Sequence, residues 1–339
     1  MGTLWPIGGK PGAPTSGWDT GRPPEAGRTV AGVSDLRILV VGAGATGGYF
    51  GGRLLQAGRD VTFLVRPGRA KLLRARGLRI VGLGEETVLD PPIVETGALD
   101  ETYDLVLLAV KATALNGALD DFAPAVGPET LILPFLNGLA HIAALAARFG
   151  EAAVLGGVAK VVTTVDDDGD IRRLGPLQNL TYGARAEPAP PRLSDVDAAL
   201  TGAGFPAARD DAITGAMWAK WVFIASIGGV NSLMRGTTGD VAAVPGGAAF
   251  AEAVVAEAAA VAEAAGYPVP AADLEATRRT VTDPGTGGSS LYRDLLGGHP
   301  VEGDQIFGDL TARARELGVS VPLLDLVTLQ LRVHNHRAG

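Results

Sequence analysis

The sequence predicts an N-terminal α/β domain built on a doubly wound parallel sheet, followed by an all-α C-terminal domain. Short apolar runs alternate with helical segments up to about residue 150, as strands and crossover helices do in such sheets. Beyond about residue 211 nearly every segment has helical periodicity. We therefore place the two domains at 36–210 and 211–335. Residues 1–35 are rich in Gly and Pro without periodicity, which predicts a disordered leader.

The predicted strands of the first domain begin with Arg37–Val41, an apolar run that ends in glycine like a buried parallel strand. The other predicted strands are Asp60–Val65, Leu78–Val81, Asp104–Val110 and Thr130–Pro134, with a hairpin about the turn Asp166–Gly169. The predicted helices are one ending near Ala57, then Ala70–Arg76, Ala114–Phe122, Leu139–Phe149, Ser194–Thr201, Gly215–Ile227, Ala248–Ala265, Ala271–Val281, Leu291–Leu295, Thr311–Glu316 and Leu323–Val333.

Composition excludes several classes of protein. With no cysteine the chain has no disulfide, thiol nucleophile or thiolate metal site, and its four histidines lack zinc-ligand spacing, so we expect no metal. A net charge of −8 without a basic face argues against a nucleic-acid partner. No uninterrupted apolar run reaches the ~18 residues of a membrane span, and the start lacks a signal-peptide pattern. We expect a cytoplasmic protein.

A glycine-rich turn follows the first predicted strand and opens a helix. Its residues Gly42, Ala43, Gly44, Ala45, Thr46 and Gly47 fit the pattern G-x-G-x-x-G. In dinucleotide-binding folds the first glycine permits the tight turn, the second lets a pyrophosphate approach the backbone, and the third allows close packing of helix on sheet. The free N–H groups at the helix start favour phosphate. The alternative is a turn with a purely structural role.

The residue after the second strand indicates which dinucleotide binds. An acid at that point accepts the ribose 2′-hydroxyl of NAD, whereas an arginine pairs with the 2′-phosphate of NADP. Asp60 precedes the strand Val61–Val65 and so lies at its wrong end, while Arg66 follows the strand directly and Arg69 comes soon after. We therefore predict NADP(H), with Arg66 as the contact. A solvated loop arginine is the alternative.

Two polar positions follow neighbouring predicted strands. Lys111 follows the most apolar strand and Asn137 the next one, and the carboxyl ends of such strands face the ligand crevice. Lysine is scarce, with five among 29 basic residues, yet Lys220 interrupts an otherwise apolar helix. Lys220 is either a lysine whose charged end reaches solvent at the core's rim, or a proton donor whose pKa is lowered by desolvation.

Further along, Ser290 follows a glycine-rich loop and Glu302 opens the next segment. A short helix and a Gly-Gly-His-Pro turn between them would bring the two residues together. Each also has an ordinary interpretation, since Ser290 suits a helix cap and Glu302 suits the first turn of a helix.

In this order the motifs resemble the ketopantoate reductase (2-dehydropantoate 2-reductase) family, over about residues 37–331. The resemblance is carried by the glycine-rich turn, Val-Lys-Ala at 110–112, Asn137-Gly138, Trp-x-Lys at 218–220, and Ser-Ser with Glu-x-Asp at 289–290 and 302–304. It implies a Rossmann domain joined to a helical domain like that of hydroxyacid and 6-phosphogluconate dehydrogenases. It also implies NADPH-dependent reduction of ketopantoate, a 2-oxo acid, to pantoate for pantothenate and coenzyme A.

The resemblance also implies a role for each matching residue. Lys220 would protonate the developing alkoxide, and Glu302 would hold the lysine and the ligands. Ser290 would contact the substrate carboxylate. Asn137 and Lys111 would lie between cofactor and substrate, and Arg66 would bind the 2′-phosphate. A homodimer formed through the helical domain is suggested on the same basis.

The chain departs from the family pattern where the family's helix usually carries two asparagines. Those positions hold Ile224 and Gly228, and Asn231 is the nearest asparagine left to bind substrate. Lys160 stands where the family usually has a small or polar residue. Two alternatives therefore stay open. One is a paralogous reductase of a more apolar 2-oxo acid or other carbonyl substrate, and the other is a non-catalytic NADP(H)-binding sensor.

Overall fold

The structure is a computed structural model that describes residues 36–338. The predicted leader, residues 1–35, lies outside the described part of the chain. The strands are β1 Arg37–Val41, β2 Asp60–Val65, β3 Leu78–Gly82, β4 Glu85–Leu89, β5 Ile93–Glu95, β6 Tyr103–Leu108, β7 Val126–Pro134, β8 Gly156–Val165, β9 Ile171–Gly183 and β10 Ala207–Arg209. The helices are α1 Ala45–Gln56, α2 Pro67–Arg76, α3 Leu115–Phe122, α4 Ala140–Phe149, α5 Leu193–Leu200, α6 Ile213–Met234, α7 Thr238–Ala242, α8 Gly247–Ala264, α9 Ala271–Val281, α10 Ser290–Leu296, α11 Asp309–Glu316 and α12 Pro322–Ala338.

A five-stranded parallel sheet of order β5-β2-β1-β6-β7 forms the first half, and the prediction of a doubly wound sheet is confirmed. The side chains of β1 alternate between two cores. Ile38 and Val40 pack with Phe50 of α1, whereas Leu39 and Val41 share a core with residues of α3 and α4. Because helices cover both faces, the central strands β1 and β6 are apolar apart from Arg37 and Asp104 near their starts.

A second sheet contains the strands whose pairing differs from the prediction. The strand at 78–81, which we expected in the parallel sheet, pairs antiparallel with β4 and parallel with β9. β8 and β9 form the predicted hairpin, and β10 adds to β9. The sequence missed β4, β5 and β10, which are short and mostly half-buried or exposed, so they lack the apolar signal of a central strand.

The second half is helical, as predicted, and α6 runs through its core. α6 packs against α8, α9, α10 and α12. Within residues 36–338, α6 is the one helix long and apolar enough to cross a membrane, although Lys220 interrupts its apolar run. Length and composition are weak evidence of a span, because a core helix passes the same test. Trp221, Val222 and Val230 of this helix are at most 1% exposed, as expected of a core helix.

Candidate active site

The glycine-rich turn has the geometry that its sequence predicts. Gly42 has φ +98°, a left-handed conformation that favours glycine. A Cβ on Gly47 would lie 2.2 Å from the carbonyl oxygen of Gly42, so only glycine fits there. A Cβ on Gly44 would meet nothing within 4 Å. Gly44 is also the N-cap of α1 and provides no side-chain cap, which leaves the first N–H groups of the helix open toward the same space.

Two arginines near this turn play different parts. Arg66 is exposed at the carboxyl end of β2, and its side chain makes no ion pair or hydrogen bond within residues 36–338. Arg69 is fixed instead, because Nε donates to the carbonyl of Ala43 (3.0 Å) and Nη1 to that of Gly169 (2.7 Å). Burial lowers the pKa of Arg69. Arg66 is therefore the arginine free to meet a ligand, whereas Arg69 supports the turn.

The residues after β6 contact the segment that contains Glu302. Lys111 is exposed and pairs with Asp294 at 3.2 Å. The N–H of Ala112 donates to Oε1 of Glu302 at 2.7 Å. This bond brings the predicted acid to the carboxyl edge of the parallel sheet, although the two residues are far apart in sequence.

Asn137 and Gly138 follow β7 and pack on the residues just after Glu302. A Cβ on Gly138, whose φ is +73°, would lie 2.6 Å from the carbonyl oxygen of Gln305. On α6, Trp221 donates from Nε1 to the carbonyl of Ile306 at 2.9 Å. A cavity of about 260 Å³ lies here, lined by Ala112, Leu115, Asn116, Asn137, Ala140, His141, Ala144 and Gln305. The structure thus brings Asn137, Lys111 and Glu302 to one edge, beside the helix of Lys220.

Lys220 is the most perturbed lysine among the described residues. Its pKa is lowered to about 8, first by desolvation and then by the positive charge of Lys160, while Glu302 acts in the opposite direction. An ammonium group with this pKa gives up a proton near neutral pH, as a general acid must. The structure therefore favours a chemical role for Lys220 over a lysine whose charged end is fully solvated.

His141 is a residue that the sequence analysis passed over. It is 3% exposed, and its Nε2 has no hydrogen-bond partner among the described residues. Desolvation, Lys220 and Arg185 together lower its pKa to about 3, so the imidazole is neutral. We had considered histidine only as a metal ligand. The available signal was its position in the first turn of α4, four residues after Asn137, with which it lines the same cavity.

The loop before α10 differs in detail from the expectation. Ser289, not Ser290, is the N-cap, and its Oγ accepts from the N–H of Tyr292 at 3.1 Å. Ser290 is exposed at the start of the helix. Asn231 is completely buried; Nδ2 donates to the carbonyls of Gly236 (2.9 Å) and Gly287 (3.3 Å), and Oδ1 accepts from the N–H of Ser289 (3.0 Å). Asn231 therefore supports the loop that carries Ser290, in contrast to the predicted substrate contact.

Comparison with known proteins is consistent with this arrangement. The family model described as "Ketopantoate reductase PanE/ApbA" matches residues 38–187, and the model for the C-terminal part of that family matches residues 212–335.

Individual relatives match over nearly their whole length. An uncharacterised oxidoreductase, YkpB, of Bacillus subtilis (strain 168) is 32% identical over 300 residues, which are 88% of this chain and 99% of the relative. A 2-dehydropantoate 2-reductase of Mesorhizobium japonicum is 27% identical over 320 residues, covering 88% of this chain and 97% of its own. The crystal structure of 2-dehydropantoate 2-reductase from Geobacter metallireducens GS-15 has a TM-score of 0.81 and 26% identity, with 88% of this chain and 99% of that one covered.

Proposed function

This chain belongs to the ketopantoate reductase family of oxidoreductases, and on that premise we propose that it uses NADPH to reduce 2-dehydropantoate to pantoate for pantothenate and coenzyme A synthesis. The observation that carries the proposal is Lys220, with its pKa of about 8, next to Glu302 at the edge of a nucleotide-binding sheet. A protein that only sensed NADP(H) would need the glycine-rich turn, but it would have no use for a lysine tuned to release a proton near neutral pH.

The turn at Gly42–Gly47 fits a dinucleotide. The space over Gly44 is open and the first N–H groups of α1 have no side-chain cap, as a pyrophosphate requires. We assign the 2′-phosphate to Arg66, whose guanidinium is exposed and unpaired within residues 36–338. When bound, NADPH supplies a hydride to a carbonyl carbon.

Lys220 manages the charge and the proton of the reaction. Hydride addition to the C2 carbonyl makes an alkoxide, and the Lys220 ammonium stabilises that charge and donates the proton that yields the 2-hydroxy acid. Glu302 counteracts the depression of the Lys220 pKa and keeps the lysine protonated. We assign Asn137, Lys111 and Ser290 to positioning the ligands around the reacting carbonyl.

A second candidate, a more apolar 2-oxo acid, is favoured by the helix that bears Lys220. Ile224 is half-buried on it, and a Cβ on Gly228 would lie 3.4 Å from the ring of Phe307 and 3.9 Å from Oγ of Ser289. A small, apolar surface therefore occupies the place where family members usually present amides.

The deciding experiment follows the absorbance of NADPH at ~340 nm, the band of its reduced nicotinamide, with ketopantoate and a panel of apolar 2-oxo acids. Turnover of ketopantoate with the highest kcat/KM supports the first proposal. Turnover of another acid with none of ketopantoate replaces it by the second. Tight NADPH binding without turnover of any acid would reject both and favour a sensor. The family's homodimer and the cytoplasmic location remain predictions.

A further inference from the structure

Lys160 stands on the strand that faces the helix of Lys220. β8 alternates between two surroundings, because successive side chains of a strand point to opposite faces. Ala159 packs in the core of the parallel sheet, whereas Val158 shares a core with α6. A Cβ on Gly156 would lie 2.7 Å from Ile213 and 2.9 Å from Met217. Positions 156, 158 and 160 therefore share the face of β8 that is turned to α6.

The helix offers a matching row to this face of β8. Ile213, Met217 and Lys220 are four and three residues apart, which places them on one side of α6. The α6-facing residues of β8 lie along the β8-facing residues of α6, and Gly156 lies against Ile213 and Met217. Lys160 continues the strand row and Lys220 continues the helix row. The positive charge of Lys160 acts on Lys220, as expected if the two ammonium groups end the rows side by side.

Asn179 adds an unpaired amide oxygen, a hydrogen-bond acceptor, beside Lys160. It lies directly opposite Lys160 in the β8–β9 pair, and directly opposite residues share a face. Its Oδ1 is buried without a hydrogen-bond partner among the described residues. Lys160 itself is exposed, and its ammonium makes no ion pair within that part of the chain. The amide oxygen can accept one N–H of the Lys160 ammonium, which leaves the other N–H groups of Lys160 for an anion near the proposed proton donor.

The local charge balance leaves room for an anion. Lys160 and Lys220 are both cationic, and the one carboxylate that acts on Lys220 among the described residues is Glu302, which also accepts from Ala112. The neutral His141 contributes no charge, Arg185 is paired with Glu151, and Arg313 lies over the rings of Trp218 and Trp221. One positive charge is left over, which matches the single carboxylate of a 2-oxo acid.

We propose that Lys160, oriented by the amide oxygen of Asn179, binds the carboxylate of the 2-oxo acid whose carbonyl oxygen meets Lys220. The polar contacts that other members place on the helix, at the positions of Ile224 and Gly228, are then supplied here by the β8–β9 strand pair. The substrate class that follows is a monocarboxylic 2-oxo acid with an apolar side chain directed at α6. This inference rests on the proposed function.

The kinetic test replaces Lys160 and compares an acid with its neutral analogue. Lys160→Met should raise KM for ketopantoate, or for the best acid of the panel, by roughly 10- to 100-fold, the range expected for a charge-assisted hydrogen bond, with a small change in kcat. Lys160→Arg should restore most of the loss. Reduction of the corresponding lactone or methyl ester, which has no free carboxylate, should barely change. Lys71→Met, at an exposed position of α2, is the matched control.

An equal loss for the acid and the neutral analogue, or an unchanged KM, would overturn the role of Lys160. A second measurement is independent of turnover. The chain has five lysines, so ¹³Cε-lysine labelling gives five NMR signals that single substitutions assign. In Lys160→Met the Lys220 signal should titrate at a higher pH than in the wild type, and in Lys160→Arg it should not.

The same spectra separate failure of the inference from failure of the proposed function. If no acid is reduced, the proposed function fails, and ketopantoate and the panel acids are added to the labelled protein with NADP⁺. A shift of the Lys160 signal that saturates, and that the neutral analogue does not cause, would still support carboxylate binding. An unmoved Lys160 signal would reject it.

Discussion

Lys220 owes its proposed chemistry to residues from three separate parts of the chain. Desolvation and Lys160 of β8 lower its pKa, and Glu302, held by the N–H of Ala112, raises it. The net result, about 8, is a balance of opposing charges, so removal of either neighbour shifts it in a defined direction. Loss of Glu302 would lower the pKa further, and loss of Lys160 would raise it.

Replacement of Lys220 tests the proton donor. Lys220→Ala should reduce turnover by roughly 10²–10⁴-fold, the usual contribution of general acid–base catalysis. In the wild type, kcat/KM for reduction should be high below pH 8 and fall as the pH rises through about 8, because the deprotonated amine cannot donate. Stopped-flow absorbance at pH values from about 6 to about 10 measures the turnover rate and its pH dependence.

Two variants serve as controls for that result. Lys220→Arg keeps the charge but cannot release a proton, since the pKa of arginine stays above ~12, so it should stay slow. Lys71→Ala should keep the full rate. A Lys220→Ala enzyme near the wild-type rate would remove the lysine from the mechanism.

Replacement of Arg66 tests the choice of cofactor. Arg66→Ala should weaken NADPH binding by roughly 10- to 100-fold, because a charge-assisted contact to phosphate is lost, and should leave NADH binding nearly unchanged. Isothermal titration with both cofactors gives the two ratios.

Arg74→Ala, at an exposed position of α2, the helix that begins just after Arg66, is the control and should change neither affinity. Arg69→Ala removes the bond to the carbonyl of Ala43 and should weaken both cofactors alike. Equal losses of NADPH and NADH in Arg66→Ala would contradict recognition of the 2′-phosphate.

At the scale of elements, one carboxylate joins three of them. Glu85 of β4 accepts two bonds of 2.5 Å from Arg53 of α1 and one of 3.0 Å from Arg173 of β9. These bonds hold the pKa of Glu85 at about 2, below its ordinary value of 4.5. The link fixes the helix of the glycine-rich turn to the second sheet.

Its contribution to stability should depend on pH. Because the folded pKa is depressed, the stabilisation is complete above about pH 4.5 and is lost as the pH falls toward about 2. Glu85→Gln should lower the free energy of unfolding by about 3 kcal/mol at pH 7 and by much less at pH 3. Urea titrations at the two pH values measure the difference.

The neighbouring Glu86→Gln is the matched control, since Glu86 is mostly exposed and its ion pair with Arg79 should contribute less than ~1 kcal/mol. A loss in Glu85→Gln that did not change with pH would show that the carboxylate charge is not what stabilises the link.

Elements with an apolar signal could be predicted from the sequence, and those without one could not. β1 and β6 are buried on both faces and are apolar apart from Arg37 and Asp104 near their starts, so the apolar run identified them. β4, with alternating half-buried and exposed residues, and the three-residue β5 and β10 carry no such run. β3 is apolar enough to be recognised, yet its sheet depends on which strand it pairs with, and local pattern does not encode that choice.

For the whole molecule, the motif order predicted the family, and the strand-end rule predicted the edge at which Lys111 and Asn137 lie. What could not be predicted were contacts across long separations in sequence. The bond from Ala112 to Glu302 and the use of the Asn231 amide by the loop are examples. The residues next to Ala112 and next to Asn231 in the sequence do not indicate their partners, because the packing of helices on the sheet brings those partners close.

The alternation of β8 between two surroundings has a consequence for how this protein could diverge. Odd-numbered positions from Gly157 to Ala159 touch the core of the parallel sheet, while Val158 and Lys160 are turned to α6. Given the proposed role of Lys160, substitutions at its position alter ligand preference, whereas those at Gly157 and Ala159 alter folding. A lineage could therefore exchange one acid for another through changes at alternate residues of a single strand, without disturbing its nucleotide-binding half.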